Sequence, residues 1–355
     1  MKAVRFHEHG GLDKLIYEDV PDPTPAIGEI LVKVGACALN HADIRRRTGE
    51  GPLPHILGLD TAGEVVALGD GVTSLKVGDR VMIYPGVSCG NCEYCNAGQH
   101  NWCADFEMIG RRINGGYAEY VVAPANNARP IPKGMSYIEA ATFPICITTA
   151  WRNLHTKGRV RPGDLVLIPG AGSGVSVYAI QIAKASGAVV FTTTSTEEKM
   201  SKARDLGADH VINYRTDDVV KVVRELTDGR GMDLVIDHVG EATWEQSLGS
   251  LRKGGRMVSL GATTGTHYPL DIRAFYPSEV AIMASGSHTR SDFNNGMRLV
   301  DQGRVKPVVD SVFPLKEAPQ ATRRLERGEQ FGKIVLSVSE SSSEVTPATK
   351  SRPGT

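Results

Sequence analysis

The sequence predicts an α/β protein of two packed domains, a β-barrel-like domain followed by a doubly wound parallel sheet. The chain has 355 residues, more than a usual single domain, and 41% of them are hydrophobic, enough for two sizeable cores. The first part consists of short apolar runs cut by Gly and Pro, whereas from about Pro162 apolar runs alternate with helical stretches. Such alternation is typical of parallel strands with helices on both faces.

The first domain is indicated by runs such as Glu29 to Val34 and Glu64 to Leu68, each followed closely by turn signals. A last apolar strand, Gly332 to Val338, is expected to return to this domain. The Ser-, Thr- and Pro-rich tail has too little apolar surface to fold and is expected to be disordered. The predicted division is 1–125 for the first domain with a lobe at 86–105, 126–298 for the parallel sheet, 299–339 for the return and 340–355 for the tail.

The charge balance excludes several classes of partner. Lys and Arg number 40, as do Asp and Glu, so no global field attracts nucleic acid or an anionic membrane. The N-terminus is too charged for a signal peptide, and no apolar run approaches the roughly 18 residues of a membrane helix. We therefore expect a cytoplasmic protein that acts on a small molecule.

Three cysteines at CxxCxxC spacing are followed by a fourth after seven further residues. Together they predict one tetrahedral zinc site formed by Cys89, Cys92, Cys95 and Cys103. Four thiolates leave no open coordination position, so this zinc is structural. The compartment prediction agrees, because a reducing cytoplasm keeps thiols available for metal. Clustered free cysteines and an iron–sulfur cluster are the alternatives.

A glycine-rich turn follows the strand candidate Leu165 to Pro169 and opens a helix, which is the context in which backbone amides hold a pyrophosphate. The motif is imperfect, since Ser176 stands where close helix packing normally prefers glycine. A merely tight turn is the alternative. The residues predicted to contact a dinucleotide here are Gly170, Gly172, Ser173, Gly174 and Val175.

The next strand ends in FTTTS, where an NAD site would place a carboxylate against the ribose. No acid is present there. The hydroxyls of Thr194 and Ser195, with Lys199 one helical turn on, favour a 2′-phosphate and hence NADPH over NADH, with Tyr214 on the adenosine side. An ordinary polar helix start is the alternative.

The sequence resembles the medium-chain dehydrogenase/reductase superfamily, which includes zinc-type alcohol dehydrogenases and quinone and enoyl reductases. The resemblance covers roughly residues 1 to 338. It depends on the cysteine lobe, the glycine-rich turn and segments such as GLDTAGEVVALGDGV, GGYAEYVVAP, LGADHVINY and GKIVLSV. It implies a GroES-like catalytic domain, a Rossmann domain, a cleft between them, and a homodimer or homotetramer. By position in the family pattern, Thr149, Tyr84 and Cys146 line that cleft, and Thr149 is expected to contact the cofactor.

The sequence departs from the family pattern at the positions that would bind a catalytic zinc. The three positions that hold a catalytic zinc in the family's alcohol dehydrogenases are Asn40, Leu59 and Ile145 in this chain, and Ala42 replaces the proton-relaying hydroxyl. A nonstandard second site remains open as an alternative. Its ligands would be Cys146 and Cys37 with His41 or His55.

Without zinc to polarise an alcohol oxygen, we expect hydride transfer from NADPH to an activated C=C bond or a quinone. Asn40 is predicted to lie beside nicotinamide and substrate, with His41 and Asp43 orienting it, touching phosphates or shuttling a proton. Capping and solvation at a helix start are the alternatives. The competing functions are a zinc-type alcohol dehydrogenase or aldehyde reductase and a non-enzymatic NADPH-binding sensor.

Overall fold

The structure, a computed structural model, describes residues 1–49 and 51–338. The predicted tail, 340–355, lies outside the described residues. The strands in chain order are β1 (Lys2–Phe6), β2 (Ile16–Asp19), β3 (Glu29–Ala38), β4 (His55–Ile56), β5 (Asp60–Leu68), β6 (Arg80–Ile83), β7 (Gly86–Val87), β8 (Glu107–Met108), β9 (Tyr120–Pro124), β10 (Ala128–Pro130), β11 (Leu165–Ile168), β12 (Val189–Thr194), β13 (His210–Asn213), β14 (Met232–Asp237), β15 (Leu251–Ser259), β16 (Ala281–Ala284), β17 (Val309–Pro314) and β18 (Lys333–Ser337).

The helices in chain order are α1 (His41–Gly49), α2 (Glu93–Asn96), α3 (Tyr137–Ala140), α4 (Pro144–Trp151), α5 (Gly174–Ala185), α6 (Glu197–Asp205), α7 (Val219–Leu226), α8 (Glu241–Ser250), α9 (Ile272–Phe275), α10 (Arg290–Asp301) and α11 (Ala318–Glu326). A π-helical segment, Arg152–Lys157, continues α4. Within residues 1–49 and 51–338, no helix has both the length and the apolar character needed to cross a membrane.

The predicted parallel sheet is confirmed. Its strand order is β13-β12-β11-β14-β15-β16, and every neighbouring pair is parallel. Separate apolar cores cover its two faces, one including α5 and the other including α7. Because both faces are covered, β14 is buried along its whole length, and β11 is an uninterrupted apolar run, LVLI.

The predicted barrel-like domain is built on a seven-stranded sheet with the order β10-β6-β5-β3-β18-β17 and β9 also paired to β3. Strand β18, near the end of the described chain, pairs antiparallel with β3, so residues separated by about three hundred positions become neighbours. The last two strands therefore lie in the same sheet as the first domain. This placement brings Lys333, the first residue of β18, beside the start of α1.

Candidate functional site

A cleft of about 800 Å³ lies between the two large sheets. Its walls come from α1, α4, the glycine-rich turn before α5 and the carboxyl end of β12. Open α/β sheets bind ligands outside the carboxyl ends of their strands, which is where this cleft lies. All ten residues predicted to contact the dinucleotide line it: Thr149, Gly170, Gly172, Ser173, Gly174, Val175, Thr194, Ser195, Lys199 and Tyr214.

The glycine-rich turn needs glycine for both conformation and space. Gly170 has a φ of +71°, which favours a residue without Cβ. A Cβ on Gly174 would lie 2.7 Å from Cδ of Lys333, so a side chain there would displace that lysine. The Ser173 hydroxyl accepts a hydrogen bond of 3.0 Å from the Ser176 N–H and caps α5. The N-terminus of α5 thus opens on the cleft, where its amides suit an anion.

Ser176, the departure from the glycine pattern, is part of a hydrogen-bonded cluster beneath this turn. Its Oγ lies 2.8 Å from Nε2 of His238, which in turn lies 2.9 Å from the carbonyl oxygen of Pro169. Burial lowers the pKa of His238. Sequence reasoning missed His238, although a polar residue directly after the buried strand β14 was a usable signal. The serine and histidine replace close glycine packing by hydrogen bonds that fix the turn.

At the other end of the turn, the predicted 2′-phosphate residues come together. Thr194 ends β12, and Ser195, Lys199 and Tyr214 line the same part of the cleft. The Nζ of Lys199 donates a 2.9 Å hydrogen bond to the carbonyl oxygen of Gly328, and partial burial lowers the pKa of this lysine. Neither acid that opens α6 lines the cleft. The polar groups here are therefore hydroxyls and one ammonium.

The floor of the cleft is formed by the three positions where the family's alcohol dehydrogenases hold zinc: Asn40, Leu59 and Ile145. Leu59 and Ile145 end in hydrocarbon and offer no ligand atom. Asn40 is 9% exposed, and its Nδ2 donates to Oδ2 of Asp60 at 2.9 Å and, at 3.4 Å, to the carbonyl oxygen of Ala38. These side chains do not fit a catalytic zinc, because two are apolar and the third is already hydrogen-bonded.

A buried ion pair holds Asn40 from the other side. The Nζ of Lys333 donates to Oδ2 of Asp60 at 2.7 Å, to Oδ1 of Asn40 at 2.8 Å and to the carbonyl oxygen of Leu39 at 2.7 Å. The Lys333 and Asp60 side chains are 2% and 0% exposed. Burial is the largest single influence and lowers the pKa of Lys333, but the acidic groups around it, Asp60 foremost, together raise it above its ordinary value. Lys333 therefore stays charged, and its hydrogen bond to Asn40 fixes the amide in one orientation.

Sequence reasoning missed Lys333 and Asp60. The signal for Lys333 was a lysine that opens an otherwise apolar strand, KIVLS. Asp60 opens β5 and also accepts a 2.6 Å hydrogen bond from the N–H of Ile145. It therefore connects the barrel sheet to the start of α4, on the far side of the cleft floor.

The two predicted neighbours of Asn40 have different surroundings. His41 lines the cleft, where desolvation, His238 and Lys333 lower its pKa to about 4, so that its ring is neutral near pH 7. Asp43 is 3% exposed and does not line the cleft. Its Oδ2 accepts hydrogen bonds from the N–H of Asn40 at 2.7 Å and from the hydroxyl of Tyr117 at 3.1 Å. Burial raises the pKa of the Asp43 carboxyl to about 7, and its Oδ1 has no hydrogen-bond partner.

The other residues considered for the cleft are dispersed. Tyr84 does not line it but is buried and donates a 2.8 Å hydrogen bond to the carbonyl oxygen of His288. Cys146 lines it with Sγ 3.8 Å from Oδ1 of Asn40, whereas Cys37 is buried beside Thr61. Among the described residues, no set of three His, Cys, Asp or Glu side chains in the cleft lies close enough to share a metal.

The four-cysteine lobe has the geometry of a metal site. The sulfur atoms of Cys89, Cys92, Cys95 and Cys103 all lie within 4.8 Å of one another. Cys89 lies 3.9 Å from Cys95 and 3.5 Å from Cys103, measured between sulfurs. A tetrahedron with Zn–S bonds of about 2.3 Å requires sulfurs about 3.8 Å apart. The four thiols therefore fit one structural zinc.

Comparison with known families matches both parts of the chain. Residues 26–133 match the alcohol dehydrogenase GroES-like domain, and residues 174–302 match the zinc-binding dehydrogenase model.

Two curated relatives cover nearly the whole chain. The NAD-dependent alcohol dehydrogenase of Sulfolobus acidocaldarius is 34% identical, over 95% of this chain and 100% of the relative. The acryloyl-coenzyme A reductase of Metallosphaera sedula is 32% identical, over 95% of this chain and 99% of the relative. A crystal structure of an NAD-dependent alcohol dehydrogenase is 43% identical, with a TM-score of 0.92 over 96% of this chain and 100% of that one.

Proposed function

The chain belongs to the zinc-type medium-chain dehydrogenase/reductase superfamily, and we propose that it is an NADPH-dependent reductase of conjugated C=C bonds or quinones that uses no metal at its reaction centre. The observation that carries this proposal is the floor of the cleft. Two of its three side chains are hydrocarbon, and the third is an amide held by a buried ion pair. Such a floor suits an apolar acceptor better than an alkoxide, which needs a Lewis acid.

Bound NADPH supplies the hydride. A conjugated C=C bond would take this hydride at the carbon distant from its carbonyl and a proton from solvent at the neighbouring carbon, and a quinone would take the same hydride and proton to become the hydroquinone. The chain supplies neutral donors for the oxygen that becomes negative. His41 is uncharged near pH 7 and can donate a ring N–H, and the second N–H of Asn40 makes only the long contact to Ala38.

The cofactor end of the proposal has its own support. No Asp or Glu among the described residues lines the cleft beside Thr194 and Ser195, and Lys199 lies over Gly172 in the same cleft. An ammonium beside hydroxyls suits a 2′-phosphate. The four-cysteine lobe, in the same proposal, holds one zinc ion that stabilises the lobe and takes no part in the reaction.

The activity is tested with a panel of enones, enoyl thioesters, quinones and aldehydes monitored by NADPH absorbance. We expect turnover with the first three classes and a fall in kcat of about tenfold to a hundredfold in Asn40→Ala. Asn126→Ala, at an exposed asparagine outside the cleft, is the matched control. Thermal unfolding of each variant separates a catalytic loss from a folding loss. Unchanged turnover in Asn40→Ala would show that Asn40 does not act at the reaction centre.

Cofactor preference is tested with Lys199→Met. We expect its affinity for NADPH to fall about tenfold while its affinity for NADH stays the same, because only NADPH carries the extra phosphate. Lys202→Met is the control on the same helix, since Lys202 pairs with Glu198 and does not line the cleft. An equal loss for both cofactors would contradict the assignment of NADPH.

Alcohol dehydrogenation is the second candidate function, favoured by the names of the relatives. It requires a second zinc on nonstandard ligands. Two zinc ions per chain, together with faster turnover of alcohols than of enones, would establish it in place of the first proposal.

A further inference from the structure

The cleft has a strong charge bias. The whole chain carries 40 acidic and 40 Lys or Arg side chains, yet no Asp or Glu among the described residues lines the cleft. Its cationic lining residues are Arg45, Arg46, Arg111, Arg152, Lys199 and Lys333. A cavity with one sign of charge in a neutral protein selects anionic ligands.

Several of these cations have partners already. Arg152 forms a buried pair with Asp292 at 2.8 Å, and Lys333 is neutralised by Asp60. Lys199 lies at the adenosine end, where it donates to the carbonyl oxygen of Gly328. Two of these cations are therefore paired with buried acids, and the third is assigned to the cofactor by the proposed function.

Arg45 and Arg111 differ from them, because neither has an ion-pair partner among the residues that the structure describes. Arg45 lies one turn along α1 from His41, so both face the same side of the helix, and its charge contributes to lowering the pKa of His41. The Nε of Arg111 is buried without a hydrogen-bond partner. Two guanidinium groups from separate elements thus line the cleft without an ion-pair partner among the described residues.

The backbone at Arg111 is held in place. The Arg111 N–H donates to the carbonyl oxygen of Met108 at 3.0 Å, and the Gly110 N–H donates to that of Ile113 at 2.7 Å. A Cβ on Gly110, which has a φ of +84°, would lie 2.5 Å from the carbonyl of Gly58. The turn is therefore packed against the residue before Leu59, which places Arg111 at the substrate side of the cleft floor.

Resting on the proposed function, we propose that Arg45 and Arg111 bind phosphate groups on the substrate, and that the acceptor is an enoyl thioester of a phosphorylated carrier such as coenzyme A. Guanidinium groups bind phosphate oxygens in pairs of parallel hydrogen bonds. The apolar floor receives the acyl chain, while the arginines hold the carrier at the mouth. The arrangement leaves the thioester carbonyl near His41 and Asn40.

The test compares crotonyl-coenzyme A with the crotonyl thioester of N-acetylcysteamine, which has the same reacting group and no phosphate. We expect a lower KM for the coenzyme A thioester and a rise of about tenfold in that KM for Arg45→Gln and for Arg111→Gln. In each arginine variant, the KM for the coenzyme A thioester should therefore approach the KM for the N-acetylcysteamine thioester. The wild-type KM for the coenzyme A thioester should rise with ionic strength. Arg112→Gln is the matched control, because Arg112 is exposed, faces Glu107 and does not line the cleft.

Two results with the thioesters and the arginine variants would overturn the inference. One is the same KM for both thioesters in the wild type. The other is a loss of NADPH affinity in the arginine variants as large as the rise in KM, which would assign these residues to the cofactor.

Calorimetric titration of butyryl-coenzyme A into the enzyme with bound NADP⁺ separates this inference from the proposed function, since it needs no turnover. Binding that weakens about tenfold in both variants supports the arginine site even if no C=C bond is reduced, and no binding by the wild type contradicts it.

Discussion

The four-cysteine lobe and the floor of the cleft are two places where a metal is expected in this fold, and they differ in what they offer it. The lobe presents four sulfur atoms within 4.8 Å of one another. The floor presents Leu59, Ile145 and an asparagine, and the charge in it belongs to the Lys333–Asp60 pair. Under the proposed function, the lobe binds the zinc that stabilises its shape, while the reaction centre depends on neutral groups and one internal ion pair.

The largest expected effect comes from removing the metal of the lobe. We expect Cys103→Ser to lose one zinc per chain and to lower the melting temperature by about 10 °C or more, because structural zinc contributes directly to folding free energy. Metal analysis and thermal unfolding measure the two changes. Cys37→Ser, at a buried cysteine outside the lobe, should keep its zinc. Full zinc content in Cys103→Ser would show that the lobe is not the metal site.

The next largest effect concerns the ion pair in the cleft floor. Lys333→Met leaves the Asp60 carboxylate buried without its cation, and we expect it to lower the free energy of unfolding by about 3 to 5 kcal/mol. Urea denaturation measures this change.

The double variant Lys333→Met/Asp60→Asn removes both charges and should recover most of the loss. If the double variant is as unstable as the single one, the pair is not what stabilises the floor.

A smaller effect is expected from Asp43, which lies behind the floor. Its folded pKa of about 7 is above the unfolded value of about 3.9, so the folded state binds more protons between these pH values. Its contribution to stability is therefore fully present below about pH 4 and is lost progressively as the pH rises to about 7, by at most about 1.4 kcal/mol per pH unit.

Asp43→Asn cannot ionise and should gain stability relative to the wild type between pH 5 and pH 8. Thermal unfolding across this range measures the difference between the two proteins. A constant difference would show that Asp43 is ionised throughout.

The two regions also differ in how far the sequence predicts them. The lobe is local: its four ligands lie within fifteen residues, so spacing alone indicates their geometry. The parallel sheet was predictable for a similar reason, since strand and helix patterns repeat along the chain. The glycine-rich turn and the residues after β12 were found because strand ends are marked by composition.

The cleft floor was less predictable because its contacts are long-range. Lys333 reaches Asn40 only because β18 pairs with β3, and no local pattern indicates that pairing. Asp43 was predicted beside Asn40, but whether its carboxylate faced the cleft or Tyr117 depended on packing. Arg111 carries no motif, and its position depends on a turn packed against Gly58.

The most direct test of the central claim measures metal content and turnover on the same enzyme sample. The purified protein should contain one zinc per chain, held by the lobe, and should reduce an enone or enoyl thioester with NADPH at a rate that added zinc or cobalt does not change. A second bound metal ion, lost in Asn40→Ala and required for turnover, would contradict it.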